Sequence, residues 1–251
     1  MVHPALQRRC IMLSTQHIFI SGADRGLGFG MTEQLLSQGH IVYSGQYMPE
    51  WTQLKDLKAR YPDSLFLVPL DVGSDESVKA AAKTVANLTS CLDVLISNAG
   101  INGHNDKDKG LHIETDTALL VYNVNALGSA RLVEHLFPLL EAGSEKKLCF
   151  ISSEAGSITQ CWRSEMFGYC MSKAALNMYV RILFNQLRPK GYRFRLYHPG
   201  WIRSYMSGSL NPDAKLDIAD AARLAISYFF SQTINEDELV LYGYDGERFS
   251  Y

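Results

Sequence analysis

Tyr169 and Lys173 stand four positions apart in MFGYCMSKAALNMYVRILFNQLRPKG (166–191), a stretch with helical spacing, so their side chains share a face. A phenol ionises near ~10 and is a poor acid or base at neutral pH. A neighbouring ammonium favours the phenolate, which would draw Tyr169 toward the working range of a general acid–base. Ser152 and Ser153 close the apolar run KLCFISS (147–153). A hydroxyl at a strand's carboxyl end can hydrogen-bond a carbonyl and steady charge developing on its oxygen. Ser21-Gly22-Ala23-Asp24-Arg25-Gly26-Leu27-Gly28 directly follows another apolar run, HIFIS (17–21). There Gly22 permits a tight turn, Gly26 admits backbone N–H groups to a pyrophosphate, and Gly28 allows close helix–strand packing; a helix N-terminus adds partial positive charge. Taken singly, a Tyr on a helix is a packing residue and a glycine turn an ordinary connection. Together they describe proton transfer beside a dinucleotide.

The elements that must position these residues alternate along the chain. Strands are expected at 17–21, 40–45, 65–72, 92–100, 147–153, 192–200 and 238–243, and helices at 29–39, 51–62, 74–88, 115–143, 166–191 and 218–232. SDESVKAAAKTVANL (74–88) opens with a Ser cap and an acidic first turn, as a helix should. The strands lack polar–apolar alternation, which suits parallel strands covered on both faces. The expected fold is α/β: a doubly wound sheet of seven mainly parallel strands with helices on both faces, in one domain over 16–251. Residues 1–15 read as an N-terminal extension.

Composition narrows the function classes. The 251 residues carry 24 Lys plus Arg against 26 Asp plus Glu, a formal charge of −2, which argues against nucleic acid as a partner. Hydrophobic residues make up 47%, enough for a packed core. No apolar run reaches the ~18–20 residues of a membrane span. Cys10, Cys91, Cys149, Cys161 and Cys170 contain no C-x-x-C pair and read as reduced thiols in a cytoplasmic protein. No metal site is expected; His104, Asp106 and Asp108 read as a solvated loop.

An ordered series of motifs carries a resemblance. The glycine turn has the form S-G-x-x-x-G-x-G; Asp71-Val72 follows the third strand and Ser97-Asn98-Ala99-Gly100 the fourth; Asn125 lies in VNALG, Ser153 in ISSEAG, and Tyr169 with Lys173 in YCMSK; Pro199-Gly200-Trp201-Ile202-Arg203-Ser204 follows the sixth strand. From about His17 onward the chain resembles the classical short-chain dehydrogenase/reductase family, a Rossmann fold. YCMSKAALNM, HPGWIRSYM and YDGERF look most like its C-signal/sniffer-type, carbonyl-reductase-like branch. The resemblance implies Tyr169 as general acid/base tuned by Lys173, Ser153 (rather than Ser152) orienting the carbonyl, and Asn125 (with Asn123 a near neighbour) in a proton relay. It implies cofactor contacts at Gly22, Asp24, Arg25, Gly26, Leu27, Gly28, Gln46, Asp71, Val72, Asn98, Ala99, Gly100, Tyr169, Lys173, Pro199, Gly200, Ile202 and Ser204.

The expected activity is NAD(P)(H)-dependent interconversion of a ketone or aldehyde and an alcohol. In HIVYSGQY the ribose-reading position falls near Gln46, with no acidic residue before Glu50, while Arg25 can meet a 2′-phosphate; NADP(H) is favoured and NAD(H) is the alternative. Tyr169 lies sixteen positions after Ser153, a few more than in most members, and the excess lies in TQCWRSEMF. Trp162, Met166, Phe167, Trp201, Tyr205 and Met206 are candidates for an apolar substrate pocket. His198 reads as a buried, hydrogen-bonded histidine. The implied assembly is a homodimer or homotetramer. The alternative function is a dinucleotide-binding sensor or signalling protein whose catalysis is vestigial.

Overall fold

A computed structural model describes residues 15–103, 111–206, 208, 210 and 212–251. The first fourteen residues of the expected extension, and the loop of His104, Asp106 and Asp108, lie outside the described residues. Strands and helices alternate as β1 (His17–Ile20), α1 (Gly26–Ser37), β2 (Ile41–Gln46), α2 (Gln53–Arg60), β3 (Leu65–Pro69), α3 (Asp75–Ala86), β4 (Val94–Ser97), α4 (Thr115–Tyr122), α5 (Gly128–Ala142), β5 (Lys147–Ile151), α6 (Phe167–Leu187), β6 (Arg193–His198), α7 (Ile218–Phe229), β7 (Leu241–Gly243) and β8 (Arg248–Phe249). Ser74 caps α3 as expected, its hydroxyl accepting from Ser77 N–H.

One sheet in the order β3-β2-β1-β4-β5-β6-β7-β8 runs through the molecule. All neighbours pair in parallel except β7 and β8. The eighth strand is the departure from the seven expected. Asp245-Gly246 makes a turn, with Gly246 at φ 87, and Arg248 returns antiparallel beside Tyr242. Such a strand of two residues leaves no hydrophobic period to detect.

Apolar side chains pack on both faces, which is why the strands read as continuous hydrophobic runs. One face buries Val78 and Val85 of α3, Leu132, Leu136 and Leu140 of α5, and Leu176, Val180, Leu183 and Leu187 of α6. The other buries Met31 and Leu35 of α1, Leu54 and Leu57 of α2, and Ala221, Ala225 and Phe229 of α7. The expected helix 115–143 is interrupted by a π-helical turn, Asn123–Leu127, between α4 and α5. No helix among the described residues is long and apolar enough to cross a membrane.

Charged groups are buried along β5 and β6. Arg195, 1% exposed, sets both guanidinium nitrogens on Glu236, Nη1 to Oε2 at 2.9 Å and Nη2 to Oε1 at 2.6 Å. Removing the carboxylate would strand a cation in the core, a loss that far exceeds what the intact pair contributes. Glu236→Ala should cost about 2–3 kcal/mol, less than a fully buried pair because Glu236 keeps some solvent. Urea unfolding checks this, and Arg195→Met in the same background should recover part of the loss.

Candidate active site

Strand order reverses between β1 and β4, so the turns leaving these two strands diverge around a crevice where α/β sheets hold ligands. They are bonded to each other. Ser21 Oγ accepts from Asn98 N and Ala99 N at 3.0 Å each, and Asn98 Nδ2 donates to the carbonyls of Ser21 (2.9 Å) and Gly22 (3.0 Å). A Cβ on Gly22, which sits at φ 65, would lie 2.9 Å from Ala99 Cα. At Gly28 it would lie 2.1 Å from the Gly22 carbonyl oxygen, since α1 starts hard against the turn. At Gly26, φ 58, it would meet only Ser204 Cβ, at 3.7 Å, leaving space above the N-terminus of α1 and its buried neighbour Leu27.

A cavity of about 290 Å³ beside this turn is lined by Gln46, Tyr47, Pro49, Pro69, Leu70 and Asp71. Gln46 Nε2 is buried there with no hydrogen-bond partner, a donor waiting for an acceptor. That orphan donor, the open space at Gly26 and the oriented helix N-terminus fit a dinucleotide, with Gln46 and Asp71 toward its adenosine end and Gly26 toward its phosphates. Other expected contacts have structural duties. Asp24 accepts from Tyr47 N–H (3.0 and 3.1 Å) and Met48 N–H (2.9 Å), tying the glycine turn to the segment after β2. Asp71 Oδ1 accepts from Gly73 N at 2.8 Å, and Val72 is buried, its carbonyl taking Arg131 Nη1 at 3.1 Å. Arg25 lays its guanidinium over the Trp51 ring, 4.9 Å from the centroid. Trp51 in turn meets Tyr205 edge-on at 5.2 Å, so the turn touches the segment after β6. In that segment Pro199 and Gly200 (φ 78) leave the strand, Ile202 bridges Leu216, and Ser204 faces Gly26.

The four expected catalytic residues meet at the carboxyl edge of β4 and β5. Asn125 sits in the π-helical turn, 1% exposed, and clasps Ile101: Oδ1 accepts from its N–H at 2.9 Å and Nδ2 donates to its carbonyl at 2.8 Å and to Ser172 Oγ at 2.9 Å. A methyl on Gly100 would lie 3.1 Å from Asn125 Oδ1 and 3.6 Å from Lys173 Nζ, which places all three together. The paired candidates separate. Asn123 turns to Gly73 and Arg131, and Ser152 donates to Asn177 Oδ1 at 2.6 Å inside the core. Ser153 instead lies next to Tyr169, where a hydroxyl turned toward the phenol would ease its ionisation.

Burial dominates the electrostatics. Desolvation pushes half-buried Tyr169 up to about 12; Glu154 and Cys170 add to the rise, while Arg163, and the Ser153 hydroxyl when it turns toward the phenol, oppose it. Lys173 is brought down to about 8 by desolvation, with Nζ 3.0 Å from the Ile151 carbonyl and 5.8 Å from the Tyr169 ring centroid. The expected lowering of Tyr169 by Lys173 is therefore not met in this state. The ammonium's hydrogen bond goes to a backbone carbonyl, and burial outweighs its field.

Sequence reasoning passed over Glu154 and Arg163. Glu154 follows Ser153, accepts its hydrogen bond at 2.6 Å and pairs with Arg163 from the lengthened stretch TQCWRSEMF (159–167). His198 Nδ1 lies 3.3 Å from Glu154 Oε2, with its ring edge-on to Tyr244 and Phe249. An acid directly after the strand-end serines was the available signal. The aromatic pocket candidates spread over the surface: Trp162 is 75% exposed, Trp201 54% and Tyr205 36%. No cluster of three or more potential metal ligands occurs among the described residues.

The family model for short chain dehydrogenases matches residues 16–215. The chain belongs to the short-chain dehydrogenase family. An uncharacterized oxidoreductase of Saccharomyces cerevisiae is 30% identical over 248 residues, covering 92% of this chain and 95% of the relative. C-signal of Myxococcus xanthus is 37% identical over 139 residues, 54% of this chain and 78% of the relative. Among solved structures, the NADPH-bound carbonyl reductase from chicken fatty liver superposes with a TM-score of 0.83 at 26% identity, over 95% of this chain and 100% of that one. As a short-chain dehydrogenase, the chain is an oxidoreductase on a nucleotide-binding fold.

The buried lysine of this short-chain dehydrogenase carries a stability cost with a definite sign. Its folded value, about 8, lies below the unfolded one, so the unfolded chain binds the extra proton between them and stability rises as pH climbs from about 8 toward ~10.4. Lys173→Met should raise neutral-pH stability by about 1–2 kcal/mol and flatten this rise, as read by denaturant titrations across pH.

Proposed function

We propose that the chain is an NADP(H)-preferring reductase that interconverts a ketone or aldehyde and the corresponding alcohol. The observation that carries this reading is the convergence of Tyr169, Ser153, Lys173 and Asn125 at the carboxyl edge of β4 and β5, beside a glycine turn that fits a phosphate-bearing cofactor. When bound, the nicotinamide supplies or takes up the hydride. Tyr169 gives its hydroxyl proton to the carbonyl oxygen in reduction and takes it back in oxidation. Ser153 orients that oxygen, and Lys173 holds the ribose and, through the site of Asn125, links Tyr169 to solvent. Arg25, held flat by Trp51, receives the 2′-phosphate, a role favoured by the absence of an acidic residue in the stretch 41–49 that forms and follows β2. The NADPH seen in the chicken carbonyl reductase supports this cofactor.

The substrate is a small carbonyl or alcohol compound. A cytoplasmic site accords with Cys91, Cys149, Cys161 and Cys170 all being free thiols, and a reducing compartment favours the carbonyl-to-alcohol direction. Helix α4 packs against α6, and Leu119, Leu120, Met178 and Ile182 stay exposed on the two helices, an apolar strip that suits a homodimer or homotetramer. The likeness to C-signal favours a second reading, a dinucleotide-binding signalling protein.

A panel of ketones and aldehydes with NADPH, followed by loss of nicotinamide absorbance, tests the activity. Tyr169→Phe should lower turnover on any active substrate by about 10²–10⁴-fold while cofactor affinity holds. A cellular effect that survives this substitution would favour the signalling reading. Arg25→Ala should weaken NADPH binding, titrated by fluorescence, at least tenfold more than NADH binding, and equal losses would remove Arg25 from the 2′-phosphate.

A further inference from the structure

Glu154 opens the short 3₁₀ turn Glu154–Gly156, directly after Ser153. The Ser153 hydroxyl has one proton, and it goes to Glu154 Oε2 at 2.6 Å, while the oxygen accepts from Ala155 N–H at 3.1 Å. The other carboxylate oxygen is paired by Arg163, which also reaches Met166 Sδ at 3.8 Å. His198 faces the carboxylate from β6 at ion-pair distance, without hydrogen-bond alignment. Tyr169, Cys170 and Lys173 approach from α6, and Asp245 acts on His198 from beyond β7. Burial raises the Glu154 carboxyl, but the Ser153 hydrogen bond, His198 and Arg163 more than offset it and hold it below its usual range. Glu154 is therefore ionised at neutral pH.

A hydroxyl proton cannot serve a carboxylate and a second oxygen at once. Ser153 can steady a substrate carbonyl, or the Tyr169 phenolate, only by turning away from Glu154. We propose that Glu154 is a positioning residue: its carboxylate withholds the Ser153 proton from the reacting oxygens, and Arg163 sets how firmly it does so. This deepens, and rests on, the carbonyl–alcohol reading. The lengthened segment between Ser153 and Tyr169 then has a purpose, since it delivers the guanidinium that moderates the carboxylate.

Glu154→Gln keeps the shape and replaces a charge-assisted acceptor with a neutral one of about half the strength. It also removes a negative charge from the surroundings of the phenol. The acid limb of the alcohol-oxidation pH profile (kcat/KM) should move down by about one unit, which is about tenfold in rate at fixed pH below the limb. Carbonyl reduction should rise severalfold in kcat with KM changed less than about twofold. Arg163→Met leaves the carboxylate unmoderated and should move the limb the other way. Loosening of the loop alone would shift both variants in the same direction or neither, and either result overturns the proposal.

Titration of ¹³Cζ-labelled tyrosine, with the Tyr169 signal assigned from Tyr169→Phe, reads the same shift without turnover. The Glu154→Gln midpoint should fall below that of the unsubstituted protein, and an unmoved midpoint overturns the proposal. If no carbonyl substrate turns over but the midpoint moves, the activity reading fails and the role of Glu154 stands.

Discussion

Strands β1 and β4 are distant in sequence, yet the turns that leave them are joined by four hydrogen bonds in which Ser21 and Asn98 exchange side-chain and backbone groups. These bonds satisfy backbone groups that the end of a parallel ladder would otherwise leave open in a buried place. They also fix the distance between the half of the molecule that can hold phosphates and the half that holds protons. Gly100 follows the β4 turn immediately, and Asn125 and Lys173 gather around it. Were the two turns free to part, the glycine cradle and the Tyr169 cluster would each keep their shape but lose their alignment. For hydride transfer, misplacement by about 1 Å is enough to forfeit most of the rate.

Within that frame, burial pushes both ionisable partners toward neutrality, Tyr169 upward and Lys173 downward. Desolvation acts on each group separately, whereas mutual attraction requires both to be charged and close. In this state the first effect wins, because the lysine's hydrogen bond goes to a backbone carbonyl. Next to the hydroxyls of Ser153 and Tyr169 also stand two charges of opposite sign, Glu154 and Arg163. Such a pair leaves the net charge of the site almost unchanged while giving it direction.

Much of this was legible in the chain itself. The parallel core could be read from continuous apolar runs, and the cluster from glycines, a strand-end serine and a helical Tyr–Lys spacing, because each is local in sequence. Choices between neighbours were harder. Ser152 and Ser153 differ by which face of the strand end they occupy, and only the position of Asn177 shows that the first belongs to the core. Asn123 and Asn125 are likewise separated by Arg131, which claims the former. The long-range charge pair Glu154–Arg163 and the stacking of Arg25 on Trp51 leave no periodic trace. The duty of Asp24 was also hidden: its carboxylate serves two backbone N–H groups that a sequence does not display as donors in want of an acceptor. The eighth strand is too short for any pattern.

The π-helical turn that carries Asn125 has a consequence for the heritable spacing of this region. A π-turn is an α-helix with one residue too many, and each residue of a helix advances its faces by about 100°. Helices α4 and α5 are therefore out of the phase that one unbroken helix would give them, and the π-turn sets how the inward stripe of Leu132, Leu136 and Leu140 follows on from α4. Loss of a single residue anywhere between 123 and 127 would restore one continuous helix, with better hydrogen bonds than before. It would also rotate either Asn125 out of the cluster or the core stripe away from the sheet. This segment should tolerate exchanges of side chain far better than any change in length, and its length is thus a functional quantity in its own right.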